Sequence, residues 1–138
     1  MGRACVDGLA DDAIAGKVAW VRADLNVPTR AAGDGGRGVA IADAARLAAA
    51  APTVRHLLGR GARVVVVASH FGRPPVSKED GTAVPDPAFS LAFLAPALAA
   101  AVGVGAVTFV PASTGPDVAE AVAADLAARV KRSFGARK

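Results

Sequence analysis

Apolar residues come in short runs along this chain, and polar or glycine-rich stretches separate them. Lys17 to Ala23 holds Val18, Trp20 and Val21 and stops at Asp24, Asn26 and Pro28, which predicts a first strand. Ala31 to Gly38 reads as a glycine-rich loop. Asp43 then stands where an N-cap belongs. The helix behind it carries Leu47, Ala50, Val54, Leu57 and Leu58 on one apolar face and ends at Gly59 and Gly61, with Pro52 expected to kink it. Val64, Val65, Val66 and Val67 form a run too continuous for a half-exposed antiparallel strand. It predicts a second strand over Arg63 to Ala68, parallel and buried on both faces. Gly72 to Pro87 is a long polar loop, and Ser90 can cap a helix reaching about Val102. Ala106 to Val110 reads as a third strand. A last helix starts near Asp117, behind Pro116, and buries Val118, Val122 and Leu126.

Strands alternating with helices make βαβ units with right-handed crossovers, so the fold class is α/β, a three-layer, Rossmann-like parallel sheet with flanking helices. Residues 1–138 read as a single partial domain, because neither an internal repeat nor a shift in composition divides them. Three strands are few for such a sheet, which points to a part of something larger.

Composition changes this picture little. The chain is 53% hydrophobic and 20% charged, which excludes disorder over its whole length. The formal charge of +4 suggests nucleic acid until it is located. Arg129, Lys131, Arg132, Arg137 and Lys138 fall in the last ten residues, leaving 11 Lys and Arg against 12 Asp and Glu in the first 128. The segment 129–138 is therefore a basic tail with no aromatic platform, and no nucleic-acid partner is expected. Cys5 is the only cysteine, so neither an intrachain disulfide nor a cysteine metal site can form. Pro87 to Pro116 lacks charge and is long enough to cross a bilayer. Pro96, Gly103, Gly105 and Pro111 interrupt it, however, and favour a helix, a turn and a strand over a membrane span. No targeting signal is visible at the N-terminus, where Asp7, Asp11 and Asp12 replace the apolar stretch of a signal peptide.

In open α/β sheets ligands bind beyond the carboxyl ends of the strands. There the first strand delivers Arg22, Asp24 and Asn26, the second delivers Ser69, His70, Gly72 and Arg73, and the crossover helix starts on the same rim with Arg46. Guanidiniums, an imidazole, a carboxylate and a carboxamide beside a helix N-terminus suit a small polyanion that bears hydroxyls. Each residue also has a structural use. Arg22 can serve an ion pair, Asp24 and Asn26 can form Asx-turns, and His70 and His56 can be structural histidines. Gly33, Gly35 and Gly38 match G-x-G-x-x-G only formally, because they neither follow a strand nor open a helix. No Walker loop and no metal-ligand spacing is present, so no metal site is expected.

Arg-Ala-Asp-Leu-Asn-Val-Pro at 22–28 and Ser-His-Phe-Gly-Arg-Pro at 69–74 resemble the two N-terminal signatures of phosphoglycerate kinases. The stretch from Ile41 to Thr53, with Arg46 and Pro52, resembles the segment around that family's substrate arginine. Phe89-Ser90-Leu91 and Gly115-Pro116-Asp117 resemble two later segments, so the similarity covers about residues 16–122. The resemblance implies that Asp24, Asn26, Arg46, His70 and Arg73 contact 3-phosphoglycerate or 1,3-bisphosphoglycerate, with Arg46 also near the phosphoryl group in flight. It further implies reversible transfer between 1,3-bisphosphoglycerate and ADP with magnesium, in glycolysis or carbon fixation, by a cytoplasmic or plastid monomer. Ala44 and Ala45 depart from the polar residues usual before the arginine, Phe71 replaces a leucine, and Ala92 and Phe93 replace a Lys-Pro pair. The pattern stops after about Val122. Roughly the first third of such a kinase is covered, and Mg-ATP or ADP would bind a domain absent from this chain, which is therefore expected to be inactive alone. The alternative is a non-catalytic anion-binding or interaction module derived from the family.

Overall fold

The computed structural model describes residues 5–32, 39–79, 81, 86–111, 118–120 and 122–124. Expectations on the glycines at 33–38, on Gly115-Pro116-Asp117, on Leu126 and on the basic segment 129–138 lie outside the described residues. The chain divides between Val107 and Thr108 into two units. In the second, residues 118–120 and 122–124 are helical, in line with a helix starting near Asp117.

The first unit is built on a parallel pair. Strand β1 (Val18–Arg22) lies beside strand β4 (Val64–Ala68), with Val18 opposite Val64 and Arg22 opposite Ala68. Helix α1 (Ala45–Gly59) runs between them in sequence, so β1, α1 and β4 make the expected βαβ unit and the class is α/β. A short antiparallel ribbon, absent from the sequence reading, joins β2 (Thr29–Ala31) to β3 (Val39–Ile41) ahead of α1.

Two strand expectations need correction. The four valines of β4 are half-buried rather than buried on both faces, because the parallel sheet has only two strands among the described residues. Trp20, on β1, is 59% exposed. The apolar run from Ala106 to Val110, expected as a third strand, forms none. A strand exists only through its ladder, and this run enters neither sheet.

Asp43 is not the cap: Ala44 takes the N-cap position without a side-chain bond, and Asp43, one residue earlier, accepts the Ala45 N–H at Oδ1 over 2.8 Å as an Asx-turn. The buried stripe of α1 is Leu47, Ala51, Val54 and Leu57, at helical spacing. Ala51 thus replaces Ala50 at the centre of the face, and Leu58 is turned outward at 38% exposure. The helix runs on through Pro52, whose side is exposed.

The helix expected from Ser90 is broken into two pieces, a 3₁₀ turn at Ala92–Leu94 and helix α2 (Ala95–Val102). Pro96 explains the break. It has no N–H to give the Ala92 carbonyl, and its ring would crowd that carbonyl in a continuous α-helix, whereas the first turn of a new helix accepts it. Ser90 caps neither piece: Leu91 and Leu94 hold the N-cap positions, and Ser90 Oγ accepts the Ala92 N–H at 3.2 Å from one residue before the 3₁₀ turn's cap. Gly103 ends α2 at φ +79°, where its N–H and that of Val104 satisfy the last carbonyls, a conformation suited to glycine.

Leu25, Val27, Leu47, Ala51, Val54, Leu94, Leu98 and Val102 form the core, with Val65 and Val67 of β4 packed against it. Leu47 is fully buried, which is worth about 1.5–3 kcal/mol for such a side chain. Among the described residues no helix is long and apolar enough to cross a membrane.

Candidate functional site

The chain leaving β1 alternates as an extended segment does. Leu25 and Val27 point into the core, while Asp24 stays exposed and Asn26 half-exposed. The buried pair pins the segment and sets Asp24 and Asn26 beyond the carboxyl end of β1. Asp24 Oδ1 accepts the Asn26 N–H at 3.0 Å, an Asx-turn, and Oδ2 accepts a bond from Arg46 Nη1 at 2.6 Å. Arg46 reaches it from the first turn of α1. Both side chains are about half exposed, so the pair is a surface contact rather than a buried lock.

The loop after β4 is tied to the same place. Ser69 Oγ accepts the Leu25 N–H at 2.9 Å, and Asn26 Oδ1 accepts the Gly72 N–H at 3.0 Å. His70 is exposed and close enough to Asp24 for its charge to be felt there. The Asp24 carboxyl is held below the ordinary carboxylate value. The Asn26 N–H is the largest cause; desolvation comes next and opposes it, and Arg46 and then His70 add to the lowering. Arg73 is exposed and has no partner among the described residues.

The structure therefore brings together Asp24, Asn26, Arg46 and the Ser69–Arg73 loop. The Asx-turn foreseen for this loop occurs at Asp24, which also holds Arg46, a pairing the sequence reading did not name. Asn26 spends its carboxamide oxygen on loop-to-loop contact, and its amide nitrogen has no acceptor among the described residues. Arg22 ends β1 exposed, without an ion pair among them. His56 belongs elsewhere. It sits in the last turn of α1, ten residues and so about 15 Å from Arg46 along the axis, with Nε2 3.7 Å from Asp7 Oδ1 and 3.5 Å from Arg60 Nη1.

Phe89 is the residue whose part in this rim the sequence left unassigned, while Ser69 and Gly72 were placed on the rim without their bonds to Leu25 and Asn26. A Cβ on Gly72, which has φ +60°, would meet the Phe89 ring at 2.6 and 2.8 Å. The positive φ was foreseeable from a glycine in a turn; the ring lying on it, from 17 residues downstream, was not. Among the described residues no group of His, Cys, Asp or Glu could hold a metal ion. What the rim offers is cationic nitrogen and hydrogen-bond donors, arranged on an open surface around one carboxylate, and that chemistry suits an anion with a hydroxyl to orient.

The sequence profile of a family described as phosphoglycerate kinase matches residues 9–130. A phosphoglycerate kinase of Caulobacter vibrioides (strain NA1000 / CB15N) is 48% identical over 109 residues, 79% of this chain and 24% of that protein. One of Streptomyces coelicolor is 43% identical over 122 residues, 88% of this chain and 26% of that protein. One of Synechococcus sp. (strain RCC307) is 45% identical over 74 residues. The chain spans about a quarter of the length of the first two relatives.

Proposed function

Because the chain belongs to the phosphoglycerate kinase family, we propose that Asp24, Asn26, Arg46, His70 and Arg73 form part of a 3-phosphoglycerate site. The observation that supports this most is the meeting of three separate segments, Asp24–Asn26, the first turn of α1 and Ser69–Arg73, at one end of the β1–β4 pair. Isolated structural uses of these residues do not require them to share an end of the sheet.

The reaction is the reversible passage of a phosphoryl group between 1,3-bisphosphoglycerate and ADP. Such transfer depends on positioning and on stabilising spread negative charge more than on covalent chemistry. Arg46 is the catalytic residue in this reading, moving a guanidinium from Asp24 toward the transferred group. Arg73 and His70 hold the anionic end of the substrate, while Asp24 and the Asn26 amide orient its hydroxyl. The exchange of Arg46 between a carboxylate and a phosphate is a small step, because the side chain is already ordered on the rim. ADP or ATP with magnesium is the co-substrate, and no described residue is assigned to it. We place this activity in the cytoplasm.

Chemical-shift titration of the full chain with 3-phosphoglycerate tests the reading, with glycerol as the uncharged control. Shifts are expected at Asp24, Asn26, Arg46, His70 and Arg73. Arg46→Ala and Arg73→Ala should each weaken binding by about tenfold, the equivalent of one charge-assisted hydrogen bond. Equal shifts with glycerol, or shifts that avoid these five positions, would overturn it.

A further inference from the structure

His70 and Arg73 carry chemistry but make no side-chain hydrogen bond among the described residues, so their places are set by their neighbours in the loop. Each neighbour is braced. Ser69 Oγ accepts the Leu25 N–H and lies 3.4 Å from the His70 carbonyl, to which it donates. The Phe71 ring meets the Phe93 ring edge to face, with centroids 5.0 Å apart and planes at 68°. Gly72 gives its N–H to Asn26, and the place its Cβ would take faces the Cδ1–Cε1 edge of the Phe89 ring. Two of these braces, Phe89 and Phe93, come from one stretch, the 3₁₀ turns Pro87–Phe89 and Ala92–Leu94. Asp86 fixes the start of that stretch by accepting the Ala88 N–H at 2.8 Å.

We propose that Phe89 is a positioning residue for the rim: its ring, seated on Gly72, holds the Gly72 N–H on Asn26 and thereby sets Arg73 and His70 where an anion can be shared between them. The inference rests on the 3-phosphoglycerate reading of the rim. A close approach of backbone to a ring needs a residue with no Cβ, and the positive φ at the same position needs glycine as well. Two demands on one residue leave the loop few alternative conformations. Removing the ring removes one wall of that confinement without deleting any polar group of the rim.

The test uses the full chain in three forms, wild type, Phe89→Ala and Phe89→Leu, and two readouts. The first is amide exchange without ligand. The Gly72 N–H should exchange at least about tenfold faster in Phe89→Ala, while the β1 and β4 amides keep wild-type protection, since local opening is separable from global unfolding. The second is the 3-phosphoglycerate titration. Phe89→Ala should bind about tenfold more weakly, the equivalent of one charge-assisted hydrogen bond, and Phe89→Leu should recover most of the loss by refilling the space over Gly72. A purely architectural Phe89 would lower the melting temperature and leave the affinity of the folded chain unchanged, which would overturn the proposal. So would unchanged exchange at Gly72. If the wild type itself shows no shifts at the rim with 3-phosphoglycerate, the substrate reading falls; the exchange arm still reports whether Phe89 holds Gly72 on Asn26.

Discussion

Gly72→Ala should be markedly more destabilising than the same change at Gly103, although both glycines have positive φ, +60° and +79°. The two positions separate a backbone effect from a packing effect. At Gly103 a new Cβ meets nothing within 4 Å, so alanine there carries only the penalty of the left-handed region, about 1–2 kcal/mol. At Gly72 the same penalty applies, and the Cβ lands 2.6 and 2.8 Å from two ring carbons of Phe89, closer than carbon atoms approach. The ring or the loop must move, and overpacking of this kind adds about 1–3 kcal/mol. The expected sum is about 2–5 kcal/mol for Gly72→Ala against about 1–2 for Gly103→Ala. Urea denaturation followed by Trp20 fluorescence and by circular dichroism gives both values from the shift in midpoint at constant slope. A double variant, Gly72→Ala with Phe89→Ala, completes the argument, since without the ring the alanine at 72 should carry only the backbone term. Equal losses at 72 and 103, or a double variant whose losses simply add, would show that the Phe89 ring does not rest on Gly72.

Three further outcomes are expected. Leu47→Ala, which empties a fully buried position between the helices and the loop after β1, should destabilise by about 2–5 kcal/mol in the same denaturation experiment; a loss under about 1 kcal/mol would show that the core does not centre there. The Asp24 carboxyl should titrate below its unfolded value. The Arg46 pair and the turn at Asn26 then contribute fully above about pH 4, and that contribution fades as pH falls through the lowered folded value; carboxyl carbon shifts against pH measure it. Arg46→Ala should bring that titration only part of the way back, because the Asn26 N–H remains, and a complete return to the ordinary value would contradict the assignment.

The sequence made β1, β4, α1 and α2 legible for different reasons. Four consecutive valines left few readings for Val64–Val67, and the spacing of Leu47, Val54 and Leu57 declared a helix face. Their class and the family followed from these elements and from two seven- and six-residue signatures. The ribbon of β2 and β3 escaped because each strand is three residues long and borders a glycine run, too short for alternation to register. The supposed third strand misled for the opposite reason, since Ala106 to Val110 has strand composition but no ladder to join. At the rim, the rule that loops beyond strand ends carry function placed Asp24, Asn26, Arg46, His70 and Arg73 together. It had no means of finding the Asn26 to Gly72 bond or the ring over Gly72, which depend on residues 46 and 17 positions apart whose meeting only the folded chain decides.

The register that sets Val18 beside Val64 also dictates an order of assembly. A parallel ladder cannot start from a hairpin, and 46 residues must be looped before its first bond forms, so a large loop-closure entropy stands against that bond. The contacts that build the rim bridge the same interval, 44 residues from Leu25 to Ser69 and 46 from Asn26 to Gly72. Rim and ladder thus close over the same stretch of chain. A chain in which helix α1 has formed but the strands have not met holds Arg46 and Asp24 without the loop that carries His70 and Arg73. Anion binding would then appear in refolding with the rate of strand docking and not with the earlier rate of helix formation.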